Sequence, residues 1–192
     1  MTGPGGPPVE GAAALPPGRI GMAIFLGSDV MGFGGLLLAY ALLRAQASAW
    51  PAPSLRFDRT LAAVLTALLL ASSATMTAAL DAGRAGRPAV RGWLLATAAL
   101  GGAFVGGQAV EFGALATRHH LGLAADQAAS IFYVLTGFHG LHVAVGVVIL
   151  LAVSRRPARE SLEVVSLYWQ FVDLIWIVIF TVLYLLPVLT HG

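Results

Sequence analysis

The sequence predicts an all-α, polytopic membrane protein: a bundle of five transmembrane helices, with the N-terminus inside and the C-terminus outside. Three observations carry that expectation. The 192 residues are 58% hydrophobic and only 10% charged; a soluble domain has about 25% charged residues, so too few are present to cover a water-facing surface. The apolar residues gather in five long runs, each able to cross about 30 Å of hydrocarbon at 1.5 Å per residue. The arginines divide unevenly between the two sides that these runs define.

The elements follow in order. Residues 1–18, rich in Gly, Pro and Ala with the single charge of Glu10, read as a disordered tail. No cationic region precedes the first apolar run, so a cleavable signal peptide is not expected. A single transmembrane domain over 19–190 follows, with spans at about 20–43, 60–80, 92–115, 128–153 and 164–189. Trp50-Pro51-Ala52-Pro53 breaks the first connection, and Gly83, Gly86 and Pro88 mark the second as a turn. Arg118, His119, His120 and Asp126 make the third polar, and Arg155–Glu163 is the fourth. No run alternates with period two, as barrel strands would, so helices are expected. No internal repeat suggests an inverted-repeat transporter.

Five spans put the termini on opposite sides. Arg19, Arg84, Arg87, Arg91, Arg155, Arg156 and Arg159 fall on the N-terminal side; Arg44, Arg56, Arg59 and Arg118 fall on the other. That bias sets the N-terminus inside. The absence of Cys excludes disulfides, Fe–S ligation, thiolate zinc sites and cysteine nucleophiles. All basic residues are Arg, which excludes lysine Schiff-base chemistry. A net charge of +2 without a basic aromatic cluster gives no reason to expect nucleic acid.

An ionisable residue within a span costs about 2.5–3.5 kcal/mol on insertion scales, so each one needs an account. Asp29 and Asp173 lie roughly 15 Å in from the inner boundary and His142 roughly 20 Å, with His139 one turn beyond; Glu111 lies near the outer interface, roughly 30 Å along its helix. Asp29 and Asp173 fit buried, hydrogen-bonded helix contacts, or sites for a lipid head group, a proton or a partner helix. His139 and His142 share one helix face; interhelical hydrogen bonding suits them better than metal or haem ligation, which wants a third ligand. Two carboxylates on one level do not make a proton path across the membrane. Trp169, Asp173 and Trp176 follow an i, i+4, i+7 spacing and share a face, with Tyr168 and the two tryptophans suited to packing or lipid contact. His119, His120 and Asp126 read as a solvated loop. No metal-binding residues are expected. These residues alone leave transporter, channel and complex subunit open.

Four segments together go further: Gly21–Phe33 (GMAIFLGSDVMGF), Gln108–Phe112 (QAVEF), Phe132–Val143 (FYVLTGFHGLHV) and Tyr168–Trp176 (YWQFVDLIW). In this order, over about residues 19–187, the chain resembles subunit III of the haem–copper oxidases, in the short five-helix bacterial form. The resemblance implies a non-catalytic subunit of a respiratory, proton-pumping oxidase in the bacterial inner membrane. Such a subunit has no haem or copper of its own, those groups being held by partner subunits. It implies packing on subunit I as the main contact, with subunit II in the same complex, phospholipid bound between helices, and support of proton uptake. Asp29 stands where the family carries Glu, and Gln170 where it carries His. Asp29, Glu111, His139, His142 and Asp173 are then buried protonatable or lipid-associated groups. The first two helices of the long form are missing, so that form's deep lipid cleft should be incomplete. The accessory membrane protein of nitric oxide reductase is the alternative reading, and a free-standing proton or small-solute transporter is a second one.

Overall fold

The computed structural model describes residues 16–46, 59–118 and 127–186. Among them five helices are long and apolar enough to cross a membrane, and no strand occurs among the described residues. They are α1 (Pro17–Gln46), α2 (Arg59–Arg84), α3 (Val90–Arg118), α4 (Gln127–Arg155) and α5 (Arg159–Phe180), the last continuing as a π-helical turn over Thr181–Leu185. The Trp50–Pro53 break and the loop histidines His119 and His120 lie outside the described residues, as does the tail as far as residue 15.

The helices run past the apolar stretches at both ends. Pro17 and Gly18, assigned to the tail by composition, already belong to α1, where proline suits the first helical turn. Arg159, Glu160 and Glu163, assigned to a loop, form the opening turns of α5. Composition marks where hydrocarbon ends. The backbone goes on spiralling into the head-group layer, where Glu160 meets the positive end of the helix dipole. Between α2 and α3 the chain turns sharply. Gly86 adopts φ +63, its N–H donates to the Gly83 carbonyl, and the Arg87 N–H donates to the Ala82 carbonyl. These paired bonds make a Schellman motif, which closes the end of a helix with glycine in the left-handed region.

Helices α2, α3, α4 and α5 pack in sequence into a closed ring, since α2 also touches α5. Helix α1 stands outside the ring, in the groove between α4 and α5, and buries fully only Phe33 and Tyr40. The ring's interior is aromatic. Phe104 lies edge-on to Trp176 at 4.7 Å between ring centroids, and Trp176 stacks on His139 at 5.0 Å.

Candidate functional site

Trp169 joins the four helices of the ring. It projects from α5 and is fully buried. A Cβ on Gly101 of α3 would fall 2.5 Å from its indole, and one on Gly146 of α4 2.8 Å from it. Glycine at both positions lets the backbones close on the ring from two sides. Its Nε1 donates to Ser72 Oγ of α2 at 3.0 Å.

The shared face of Trp169, Asp173 and Trp176 meets α2 as a ladder of polar contacts. Ser73 Oγ donates to Asp173 Oδ2, and Trp176 Nε1 donates to Thr66 Oγ1 at 3.0 Å. Asp173 is buried, and its other oxygen, Oδ1, has no hydrogen-bond partner. Sequence reasoning found the α5 side of this ladder and missed Thr66, Ser72 and Ser73.

A second contact ties α1 to the ring. Asp29 Oδ2 faces His142 Nε2 of α4 at 3.4 Å, with side-chain exposures of 14% and 11%. His142 Nδ1 lies 2.8 Å from the Phe138 carbonyl, which can only accept, so Nδ1 carries a proton. A neutral ring would then present a bare Nε2 lone pair to a carboxylate. The two atoms meet at ion-pair distance without a hydrogen bond, Asp29 Oδ2 having no hydrogen-bond partner in the structure. Phe33 lies edge-on to His142, 5.3 Å between centroids, and the Tyr168 hydroxyl donates to the His142 carbonyl at 2.9 Å.

The two histidines part company here. His142 reaches across to another helix. His139 is fully buried, neither of its ring nitrogens has a hydrogen-bond partner, and it packs between Trp176 and Phe104. The interhelical bond expected of both is made by neither in full: His142 approaches Asp29 and His139 stacks. Glu111, near the far end of α3, accepts from the hydroxyl of Tyr184 in the π-helical turn at 3.2 Å. Tyr40 of α1 donates to the Val182 carbonyl of the same turn at 3.2 Å. No group of three or more His, Asp or Glu side chains able to hold a metal occurs among the described residues.

Two apolar cavities lie along the seam of α1. One of about 300 Å³ is lined by Met22, Ile149, Val153, Val164 and Tyr168, with Glu160 and Ser161 at its edge. The other, of about 490 Å³, lies between Leu37, Tyr40, Ala41 and Arg44 of α1 and Val182 and Leu186.

The profile of the family described as cytochrome c oxidase subunit III matches residues 13–188. The chain belongs to that family. It is 38% identical over 179 residues to the cytochrome c oxidase subunit 3 of Thermostichus vulcanus, covering 87% of this chain and 86% of the relative. It is 33% identical over 181 residues to that of Bacillus subtilis (strain 168), covering 87% and 85%. A probable cytochrome c oxidase subunit 3 of Mycobacterium bovis is 37% identical over 175 residues, covering 86% of each. As a subunit III of a haem–copper oxidase, the chain is a multi-pass membrane protein and one part of a complex with other subunits. Three of the four segments that carried the resemblance lie on helices of the ring, and the first lies on α1.

Proposed function

We propose that this subunit III stabilises the catalytic subunit I, its main contact beside subunit II in the complex, and supports proton uptake through the Asp29–His142 pair. The observation that carries the reading is the 3.4 Å facing of Asp29 Oδ2 and His142 Nε2, two titratable side chains brought together at a depth where an unpaired carboxylate is costly. The arginine bias sets the N-terminus on the inner face of a bacterial cytoplasmic membrane, which is the side from which a respiratory oxidase draws protons. Haem and copper belong to the partner subunits, and this chain contributes no catalytic centre. Phospholipid acyl chains occupy the α1 seam; its two cavities are apolar and one lies toward each end of α1.

The test is Asp29→Asn in the whole oxidase. The amide keeps the shape and can still bond to His142, yet it cannot take up or release a proton near neutral pH. The expected result is normal haem content with a shortened working lifetime during turnover. Unchanged lifetime and assembly would reduce Asp29 to a packing contact.

A further inference from the structure

Within the bilayer, outward-facing polar side chains can avoid exposing their hydrogen-bonding groups by turning back on their own helix. Ser28 Oγ donates to the Ile24 carbonyl at 3.2 Å, Thr77 Oγ1 to Ser73 at 3.0 Å and Thr117 Oγ1 to Gly113 at 2.7 Å. Gln170 does not. It is exposed on α5, near the middle of the Arg159–Leu185 span, and makes no hydrogen bond to any described residue. A primary amide brings two donors and an acceptor into a layer without water, where each unmet group is unfavourable. Lipid cannot meet them, because its polar groups lie at the head-group level, roughly 15 Å from the midplane.

The residues exposed beside Gln170 on α5, Leu167, Leu174 and Ile177, are apolar, and the polar ones near it lie buried toward α2. Helical spacing sets Ser166 one turn before it, and Asp173 and Leu174 one turn after it. Ser166 and Asp173 are buried; Asp173 has one carboxyl oxygen on Ser73 of α2 and the other without a partner, which sets Gln170 beside the α2–α5 seam. The outward face of α4 carries no such amide: Val134, Leu141, Val145 and Val148 are exposed and apolar, as lipid contact requires.

We propose that the α2–α5 seam around Gln170 is where this chain meets a transmembrane helix of another oxidase subunit, one presenting a hydrogen-bonding side chain at mid-bilayer depth. Ser, Thr, Asn, Gln or Tyr has the required chemistry. The proposal rests on membership of an oxidase complex and adds the face by which the chain enters it.

The experiment places a photoreactive residue at Leu174, on this face, or at Val148 on α4, in the full chain within native membranes. After illumination the oxidase is purified. A crosslink from Leu174 to another oxidase subunit, with Val148 yielding lipid adducts only, is the expected result. Lipid adducts only from Leu174, or adducts to a second copy of this chain, overturn the proposal. A subunit crosslink from Val148 alone overturns it while leaving complex membership intact, and a chain absent from the purified oxidase strikes both. A second variant, Gln170→Leu, removes the polar group without disturbing the ring. It should lower the fraction of the chain retained with the oxidase about three- to eighteenfold, the range for one interhelical hydrogen bond in lipid. Full retention of Gln170→Leu overturns the proposal independently of any crosslink.

Discussion

Replacing Gly101 by alanine puts a methyl group where the indole of Trp169 already lies. The added Cβ would stand 2.5 Å from Cη2, 2.9 Å from Cζ2 and 3.0 Å from Val147 Cγ2, against about 3.5–4.0 Å for carbon atoms in contact. The nearest overlap is thus about 1 Å. The indole cannot withdraw, because Gly146 closes on its other side and Ser72 holds its Nε1. Helix α3 has to move away from α4 and α5 instead. Overpacking of this kind costs about 1–3 kcal/mol, and three coupled contacts put Gly101→Ala at the upper end. For a chain of this size each kcal/mol shifts the melting temperature by about 2–4 °C, so a fall of about 5–10 °C is expected. Circular dichroism melts of the detergent-solubilised protein measure it. Gly102→Ala, one residue along, meets nothing within 4 Å and should leave the melting temperature unchanged or slightly raised, since alanine favours helix by up to about 1 kcal/mol. Equal melting temperatures for the two variants would refute the account of Trp169 as the centre of the ring.

Four further outcomes follow from contacts of graded burial. Thr66→Val deprives Trp176 Nε1 of its acceptor and should cost about 0.6–1.7 kcal/mol in a melt, as interhelical bonds in membranes do. Ser73→Ala removes the partner of buried Asp173 and should cost more, about 1–3 kcal/mol, because a buried polar group is left unmet. Glu163→Gln breaks the partly exposed ion pairs with Arg19 at 3.7 Å and Arg159 at 3.5 Å. Its effect should stay within about 1 kcal/mol and vanish in high salt, which melts at two ionic strengths would show. Tyr184→Phe loosens the π-helical turn from Glu111, and amide exchange should quicken over Thr181–Leu185 while the interior of α4 stays protected.

The helix count was legible because hydrocarbon thickness imposes a length on every span, and length survives in sequence. The face shared by Trp169, Asp173 and Trp176 was legible because helical periodicity is a property of one segment. Their partners were not. Serine and threonine in membrane helices ordinarily bond their own backbone, as Thr66 also does toward the Ala62 carbonyl at 2.8 Å, so nothing in α2 distinguishes the residues that face α5. Neighbours around the ring are equally hard to read, since lipid-facing and core-facing positions are both apolar. The i, i+3 spacing of His139 and His142 suggested one shared role. A separation of three residues turns a side chain by about 60° on the helix, which sends one ring toward α1 and the other into the aromatic core. Glu111 was placed near the outer interface by counting residues, but its contact depends on a π-helical turn that no local pattern announces.

Helix α1 lies outside the ring and docks chiefly on the two helices made last, and this constrains assembly. Chains are made from the N-terminus at about 5–20 residues per second. Asp29 therefore reaches the membrane several seconds before His142, roughly 110 residues later, can face it. During that interval α1 is a lone helix bearing an unpaired carboxyl group, whose insertion costs about 2.5–3.5 kcal/mol if charged. Its apolar flanks must hold it in the bilayer unaided, and the Asp29–His142 contact forms only when synthesis is nearly complete. The Asp29–His142 contact is thus also a mark of completed assembly: a chain stopped before α4 has the carboxyl group but not the histidine that faces it.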